Sequence, residues 1–369
     1  MKIVMFSWKD LKHPESGGAE WVTDKYLSYL VEKGHEVELV CSGFKDSKKN
    51  DSRNGYKITR LGNRLTVYPK VFFYYKKHLK GKVDVVIDQI NTIPFFTPLF
   101  VKEKKIGFIH QTAREVWFYE MPPLISHLGY FIEPLLFKPY KDIKMICVSE
   151  STAQDMKDFG VKETIVIHNG CDVEPLKKSV EKEENTFCFV GRLTSMKRVD
   201  HAILAIAELK KYFPDVKLKI IGGNGKENYV RKIKALVKEK SLEENVIFTG
   251  YLTFEKRNEE ISKCNAIIVP SVREGWGLIV IEANALGTSA VGYDVQGLRD
   301  SIQDKVNGWL VKESKREAES IKRLSETLKI VLSLDNTQRS KINKRCIDYA
   351  LEFKWEKSEK AFLGELIEK

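Results

Sequence analysis

The chain has 369 residues, 43% of them hydrophobic and 31% charged, and carries a net charge of +11. That composition excludes a disordered or low-complexity chain and leaves room for two domains of roughly 150 residues each. Six cysteines stand singly, with no CxxC pair, which argues against a disulfide framework or zinc site and for buried thiols in a reducing compartment.

The first residues, Met1 to Phe6, are too short for the apolar segment of a signal peptide and read as a buried strand. An amphipathic helix is predicted over 19–33, with Gly34 as its stop. Further short apolar runs follow at 36–41, 83–88, 105–109 and 143–148. Each is nearly continuous, as in a parallel strand covered on both faces. The segment 174–185 is polar, charged and aperiodic, and reads as a linker. A second series of strands is predicted at 186–190, 216–221, 246–249, 266–269 and 289–292, with helices over 201–211, 228–240 and 278–286. The expected architecture is α/β, with two doubly wound, Rossmann-like domains facing across a cleft. Its parts are a first Rossmann-like domain over 1–172, a second over 173–345 and a C-terminal helix over 346–369. No apolar run reaches the roughly 18 residues of a membrane-spanning helix, so a cytoplasmic protein is predicted.

The candidate site residues cluster where strands end. Pro270 to Ala283 runs from an apolar strand into an apolar helix. Gly275 and Gly277 permit a sharp turn that exposes backbone N–H groups, Trp276 lies between them, and Leu278 opens the helix. Glu274 in the loop and Glu282 on the helix can each accept a pair of sugar or ribose hydroxyls. Gly191 and Arg192 follow a strand and Lys197 precedes a helix, so a planar cation, a point charge and helix N–H groups can hold a diphosphate. Gly17 and Gly18 precede the first helix and would admit a phosphate or a sugar ring; the alternative is a plain turn. His110 directly follows a strand, where ligands of α/β sheets bind, although a lone histidine is as often structural. Gly222-Gly223-Asn224-Gly225 is another glycine-rich strand end.

Gly17-Gly18-Ala19-Glu20, Gly191-Arg192-Leu193 with Lys197, the Gly222–Gly225 turn, and Glu274 with Glu282, in this order, resemble glycosyltransferase family 4. The resemblance implies a GT-B fold and a retaining, metal-independent hexosyltransferase of glycan biosynthesis. It implies that the first domain binds an acceptor and the second a donor, and that the C-terminal helix returns to the first. It implies donor-sugar contacts at Glu274 and at the backbone of Gly275, Trp276, Gly277 and Leu278, with ribose contacts at Glu282. It further implies a diphosphate clamp of Arg192 and Lys197, an amino-terminal glycine near the phosphates at Gly18, and a histidine by the reacting sugar at His110. Tyr251 and Leu252 are placed near the base. The donor, a UDP- or GDP-sugar, is a substrate, so no cofactor and no metal is expected. The acceptor that the resemblance implies is a glycan or a lipid-linked species.

The stretch 60–82 holds seven Lys or Arg residues and no Asp or Glu, interleaved with aromatics. It has two readings: a face for an anionic membrane, which would make the protein peripheral on the inner membrane surface, or a core helix with solvated lysines. Rival functions are a nucleotide-sugar epimerase on the same plan and a nucleic-acid-binding protein. The latter lacks any groove-binding or RNA-binding motif, so no nucleic-acid partner is expected.

Overall fold

Fourteen short strands and the helices between them build two sheets in the computed structural model, which describes residues 1–176, 180–223 and 225–368. The first unit comprises residues up to Trp117, Met121–Gly170 and the chain from Trp355 onward. The second comprises Phe118–Glu120 and Cys171–Lys354. The break thus falls at Gly170, and the returning segment begins at Trp355 rather than at residue 346.

The first unit contains β1 (Lys2–Phe6), α1 (Gly18–Glu32), β2 (Glu36–Cys41), β3 (Asn50–Arg53), β4 (Tyr56–Arg60), α2 (Val67–Tyr74), β5 (Val85–Ile90), β6 (Lys104–Ile109), the short α3 (Val116–Glu120, whose end belongs to the second unit), α4 (Pro123–Leu136), β7 (Met145–Cys147), α5 (Glu150–Asp158) and β8 (Thr164–Val166). Its sheet runs β3-β4-β2-β1-β5-β6-β7-β8, parallel except for β3. The β3–β4 hairpin was not expected. β3 is wholly polar and offers no apolar run, yet Asn54-Gly55, both at positive φ, forms the turn that favours a two-residue hairpin.

α2 settles the physical character of the basic stretch. Val67, Val71, Tyr75 and Leu79 recur every fourth residue and enter a core with Val4, Phe6 and Val86. Tyr75 is thus core and Tyr68 and Tyr74 pack partly against it, whereas Phe73 stays exposed; Arg60 is buried against Asp10 at 2.6 Å.

The second unit holds β9 (Thr186–Val190), α6 (Val199–Leu209), β10 (Lys217–Ile221), α7 (Glu227–Glu239), β11 (Val246–Gly250), α8 (Phe254–Lys263), β12 (Ala266–Val269), α9 (Leu278–Ala285), β13 (Ser289–Tyr293), α10 (Leu298–Ser301), β14 (Gly308–Val311), α11 (Glu317–Leu332) and α12 (Asn336–Ala350). Its six strands are all parallel, in the order β11-β10-β9-β12-β13-β14. Phe187, Phe189, Ile203, Ile206, Ile220 and Leu324 sit at the centre of its core.

The segment read as a linker is not loose where it is described; residues 177–179 lie outside the described residues. Leu176 N–H donates to Ala285 O at 3.0 Å, and Glu183 N–H to Lys263 O at 2.7 Å. Lys182 Nζ donates to Ser262 O and Thr288 Oγ1, both at 2.8 Å, and burial pushes its ammonium down to about 8. Polar composition here reflects satisfied hydrogen bonds to the second unit.

The last helix, α13 (Trp355–Ile367), belongs to the first unit. Phe362 stacks on Tyr26 of α1 with ring centroids 4.2 Å apart, and the Phe108 ring meets both. A Cβ on Gly170 would fall 2.5 Å from the Trp355 backbone, so only glycine allows that crossing.

Candidate functional site

In an open parallel sheet, ligands bind where the strand order reverses, beyond the carboxyl ends. In the second unit that point lies between β9 and β12, and both of their following loops carry sequence-predicted residues. Lys197 Nζ lies 2.5 Å from Glu274 Oε1, and Ser271 Oγ donates to the same oxygen at 2.6 Å. The two side chains are mostly shielded, with 21% and 12% of their surface exposed.

The loops are joined by backbone. Val272 N–H donates to Met196 O at 2.9 Å, and Glu274 N–H donates to Gln296 O at 3.1 Å, beyond β13. Arg198 is buried and donates to Pro270 O at 2.7 Å and Ser271 O at 2.9 Å while pairing with Glu313 at 2.6 Å. Its neighbour Lys197 is thereby aimed by a residue that itself faces the frame. Gly297 has φ +79°, and a Cβ there would meet Glu274 O at 2.2 Å. A side chain at 297 would push the Glu274 loop out of place.

The glycine-rich ends of β9 and β10 pack on each other. A Cβ on Gly222 would fall 2.0 Å from Gly191 O, and one on Gly225 would fall 2.2 Å from Leu193 O. Gly223 faces open space. Asn224 lies outside the described residues. Arg192 extends from this loop and is exposed. Gly275 is half-buried, and Gly277 at φ +79° caps α9, whose first residue is Leu278. The Trp276 ring is buried and packs on Phe353 at 5.1 Å, so this position offers backbone rather than an indole face.

Glu282 stands on α9, apart from the Lys197–Glu274 pair. Arg257 of α8 holds it at 3.0 Å. Removal from water pushes the Glu282 carboxyl above its usual range, Asp172 adds to this, and Arg257 opposes it. Tyr251 is exposed, and Leu252 half-buried, on the loop that leads from β11 into α8.

The first unit makes a separate cluster. Its strand order reverses between β1 and β5, and the loop after β1 ends at Gly17, with Gly18 opening α1. Glu20 reaches back to the Gly17 N–H at 2.7 Å, and Lys9 lies 3.4 Å from Glu20. His110 follows β6, with its Nε2 2.8 Å from the Gln89 amide nitrogen, which also donates to Thr23 Oγ1 at 2.5 Å. An amide nitrogen only donates, so the ring accepts at Nε2 and its proton sits on Nδ1.

Burial first, and then the charge of Lys9, pull the His110 pKa from its ordinary 6.5 down to about 3. Between those values the unfolded chain binds a proton that the native chain does not. His110 therefore contributes stability that is complete above the upper value and is lost as pH falls toward the lower one. Urea unfolding at pH 7 and pH 4 should show wild type losing about 3 kcal/mol more than His110→Gln over that interval. Equal losses would refute this assignment.

Ser271, Arg257, Gly297, Lys9 and Gln89 complete these clusters and were not singled out from the sequence. Ser271 lies inside the stretch read for its glutamates, three residues before Glu274. The other four meet their partners only through the fold. Ser149, at another strand end, caps α5 by accepting Thr152 N–H at 3.2 Å, the plain turn chemistry. Among the described residues no group of three or more His, Cys, Asp or Glu could hold a metal ion, and no helix is long and apolar enough to cross a membrane.

The model of the glycosyl transferases group 1 family matches residues 173–351, and that of glycosyltransferase family 4 matches 16–175. An uncharacterized glycosyltransferase of Methanocaldococcus jannaschii is 24% identical over 344 residues, covering 84% of each chain. Sucrose-phosphate synthase of Thermosynechococcus elongatus superposes with a TM-score of 0.79 at 18% identity, covering 99% of this chain and 98% of its own. The Anabaena protein HepE in complex with UDP-glucose superposes with a TM-score of 0.74 at 17% identity, covering 99% of both chains.

Proposed function

The chain belongs to the group 1 and family 4 glycosyltransferases of GT-B fold, and on that premise we propose that it moves a sugar from a nucleoside-diphosphate donor, a UDP- or GDP-sugar, to a hydroxyl of a glycan or lipid-linked acceptor, with retention and without a metal ion. The observation that carries this reading is the Lys197–Glu274–Ser271 cluster at the switch point of the second sheet. It sets a cation for phosphate oxygens beside a carboxylate for sugar hydroxyls. The complex of the structurally similar HepE with UDP-glucose supports the donor class.

In this reaction the bond from the anomeric carbon to the phosphate oxygen breaks, and the nucleoside diphosphate leaves with the electron pair. Lys197 and Arg192 stabilise the negative charge that develops there, the task a divalent ion would otherwise perform. The acceptor oxygen bonds the anomeric carbon on the face just vacated, and its proton passes to the departing phosphate oxygen. No carboxylate nucleophile is required, unlike in retaining hydrolases. Glu274 holds hydroxyls of the donor sugar and Glu282 those of the ribose. His110, neutral at working pH, serves a sugar hydroxyl without adding charge. The six free cysteines, five of them buried, suit a cytoplasmic setting.

A thermal-shift panel of nucleoside diphosphates and their sugars tests the reading, because a ligand of the native state raises stability by mass action. One base should raise Tm, equally with and without excess EDTA, and the matching nucleotide sugar should support transfer in EDTA. Transfer abolished by chelation and restored by added metal would overturn the metal-free clamp; no shift with any nucleotide would overturn the donor class.

A further inference from the structure

Helix α4 is built inside out. In a surface helix of a globular domain the apolar stripe faces the core and the polar residues face water. Here the fully buried side chains are Ser126 and Glu133, both at 1% exposure or less. The Glu133 carboxylate accepts the N–H groups of Ala113 and Arg114 and the indole N–H of Trp117. Gly129 lies against the Trp117 ring, where a Cβ would come within 2.6 Å. The outward face is Leu124, Ile125, Leu128, Phe131, Ile132 and Leu135, which recur at helical spacing, with Leu124 84% and Phe131 71% exposed. Such a contiguous apolar ridge marks an interaction surface.

The charge around the ridge identifies the occupant. From Met121 to Lys141 the ionisable side chains are His127, the inward Glu133, Lys138 and Lys141, so the outward face carries no acid and ends on two exposed lysines. The surface continues within the same unit. Tyr140, just past α4, donates to Asp88, which also accepts the Thr97 hydroxyl at 2.9 Å. The Thr97–Leu99 turn carries Leu99, 71% exposed, and the next ring, Phe100, packs on Phe72 of α2. The outer side of α2 and of the turn after it presents Phe73 with Lys70, Lys76, Lys77 and Lys80, all exposed.

We propose that the outward face of α4, flanked by the lysines of α2, seats the first unit on an anionic lipid bilayer. A projecting row of Leu, Ile and Phe side chains enters the headgroup boundary while lysines meet lipid phosphates. A second copy of the chain fits less well, since a self-complementary contact would bring two sets of lysines together. The inference uses the first unit alone and needs no transfer activity, so it can fail while the transferase reading stands.

The test is flotation of the full-length protein with vesicles of phosphatidylcholine alone and of phosphatidylcholine with an equal part of phosphatidylglycerol. Wild type is expected to float with the anionic vesicles and to stay behind with the neutral ones. Leu128→Glu/Phe131→Glu should cut the floated fraction at least about ten-fold, with unchanged circular dichroism and Tm because both side chains are exposed. Lys76→Gln/Lys77→Gln/Lys80→Gln should weaken it and flatten its salt dependence. The proposal is overturned if wild type floats with neither vesicle, if it floats equally with both, or if the double variant floats like wild type. It is also overturned if light scattering shows a dimer that Phe131→Glu splits, which would assign the ridge to a second copy.

Discussion

Lys197→Ala is expected to lower turnover about 100- to 1,000-fold while the protein remains folded. The size follows from what the ammonium does in the proposed reaction. Charge grows on the leaving phosphate in the transition state, and a fixed cation in a shielded loop stabilises it there more than in the ground state. The fold should tolerate the change because Lys197 holds no part of the frame. Its loop is tied to the Glu274 loop by the Arg198 side chain, which donates to Pro270 O, and by the Val272–Met196 hydrogen bond, and Glu274 keeps its bond from Ser271. The stability cost should be about 1 kcal/mol, as for a partly exposed ion pair. Arg192→Ala should also depress turnover, with no change in Tm, since its side chain is exposed. Turnover measured beside circular dichroism checks both. A natively folded Lys197→Ala protein with wild-type turnover would remove the clamp.

Glu282→Ala should weaken nucleoside-diphosphate binding about 10- to 100-fold, the worth of a hydrogen bond to a charged group. The loss should be confined to ligands with ribose hydroxyls. Calorimetry with a nucleoside diphosphate and with its 2′,3′-dideoxy analogue separates the cases: the variant and wild type should bind the analogue equally. An equal loss for both ligands would take Glu282 off the ribose. Arg257 leaves a further trace. It orients the carboxylate and opposes the burial that raises its pKa, so Arg257→Ala should reproduce part of the loss without touching the sugar.

The strands at 36–41, 186–190 and 266–269 were legible to the residue, because each is an apolar run bounded by turn residues. The segment 174–185 reads as a linker from its polar, aperiodic composition; what composition does not show is that Lys182 and the Glu183 N–H bond to the second unit. The stretch 60–82 reads both as a membrane face and as a core helix with solvated lysines; its helical phase, which the tertiary structure fixes, sends Val71 and Tyr75 inward and leaves Phe73 and the lysines outward. α4 was overlooked because an apolar helix in sequence reads as core, and only its docked orientation shows which side faces water.

By itself the sequence determined the α/β class and picked out the glycine-rich and charged strand ends proposed as the site, since periodicity and glycine placement are local properties of the chain. The tertiary structure decided which of those residues meet. Lys197 and Glu274 are 77 positions apart and share a hydrogen bond because β9 and β12 are neighbours at the reversal of the strand order. Arg257, Gly297 and Gln89 act through partners that no local pattern names. Strand order is a global outcome of burying two faces of a sheet at once, and it is strand order that turns scattered loop residues into a site.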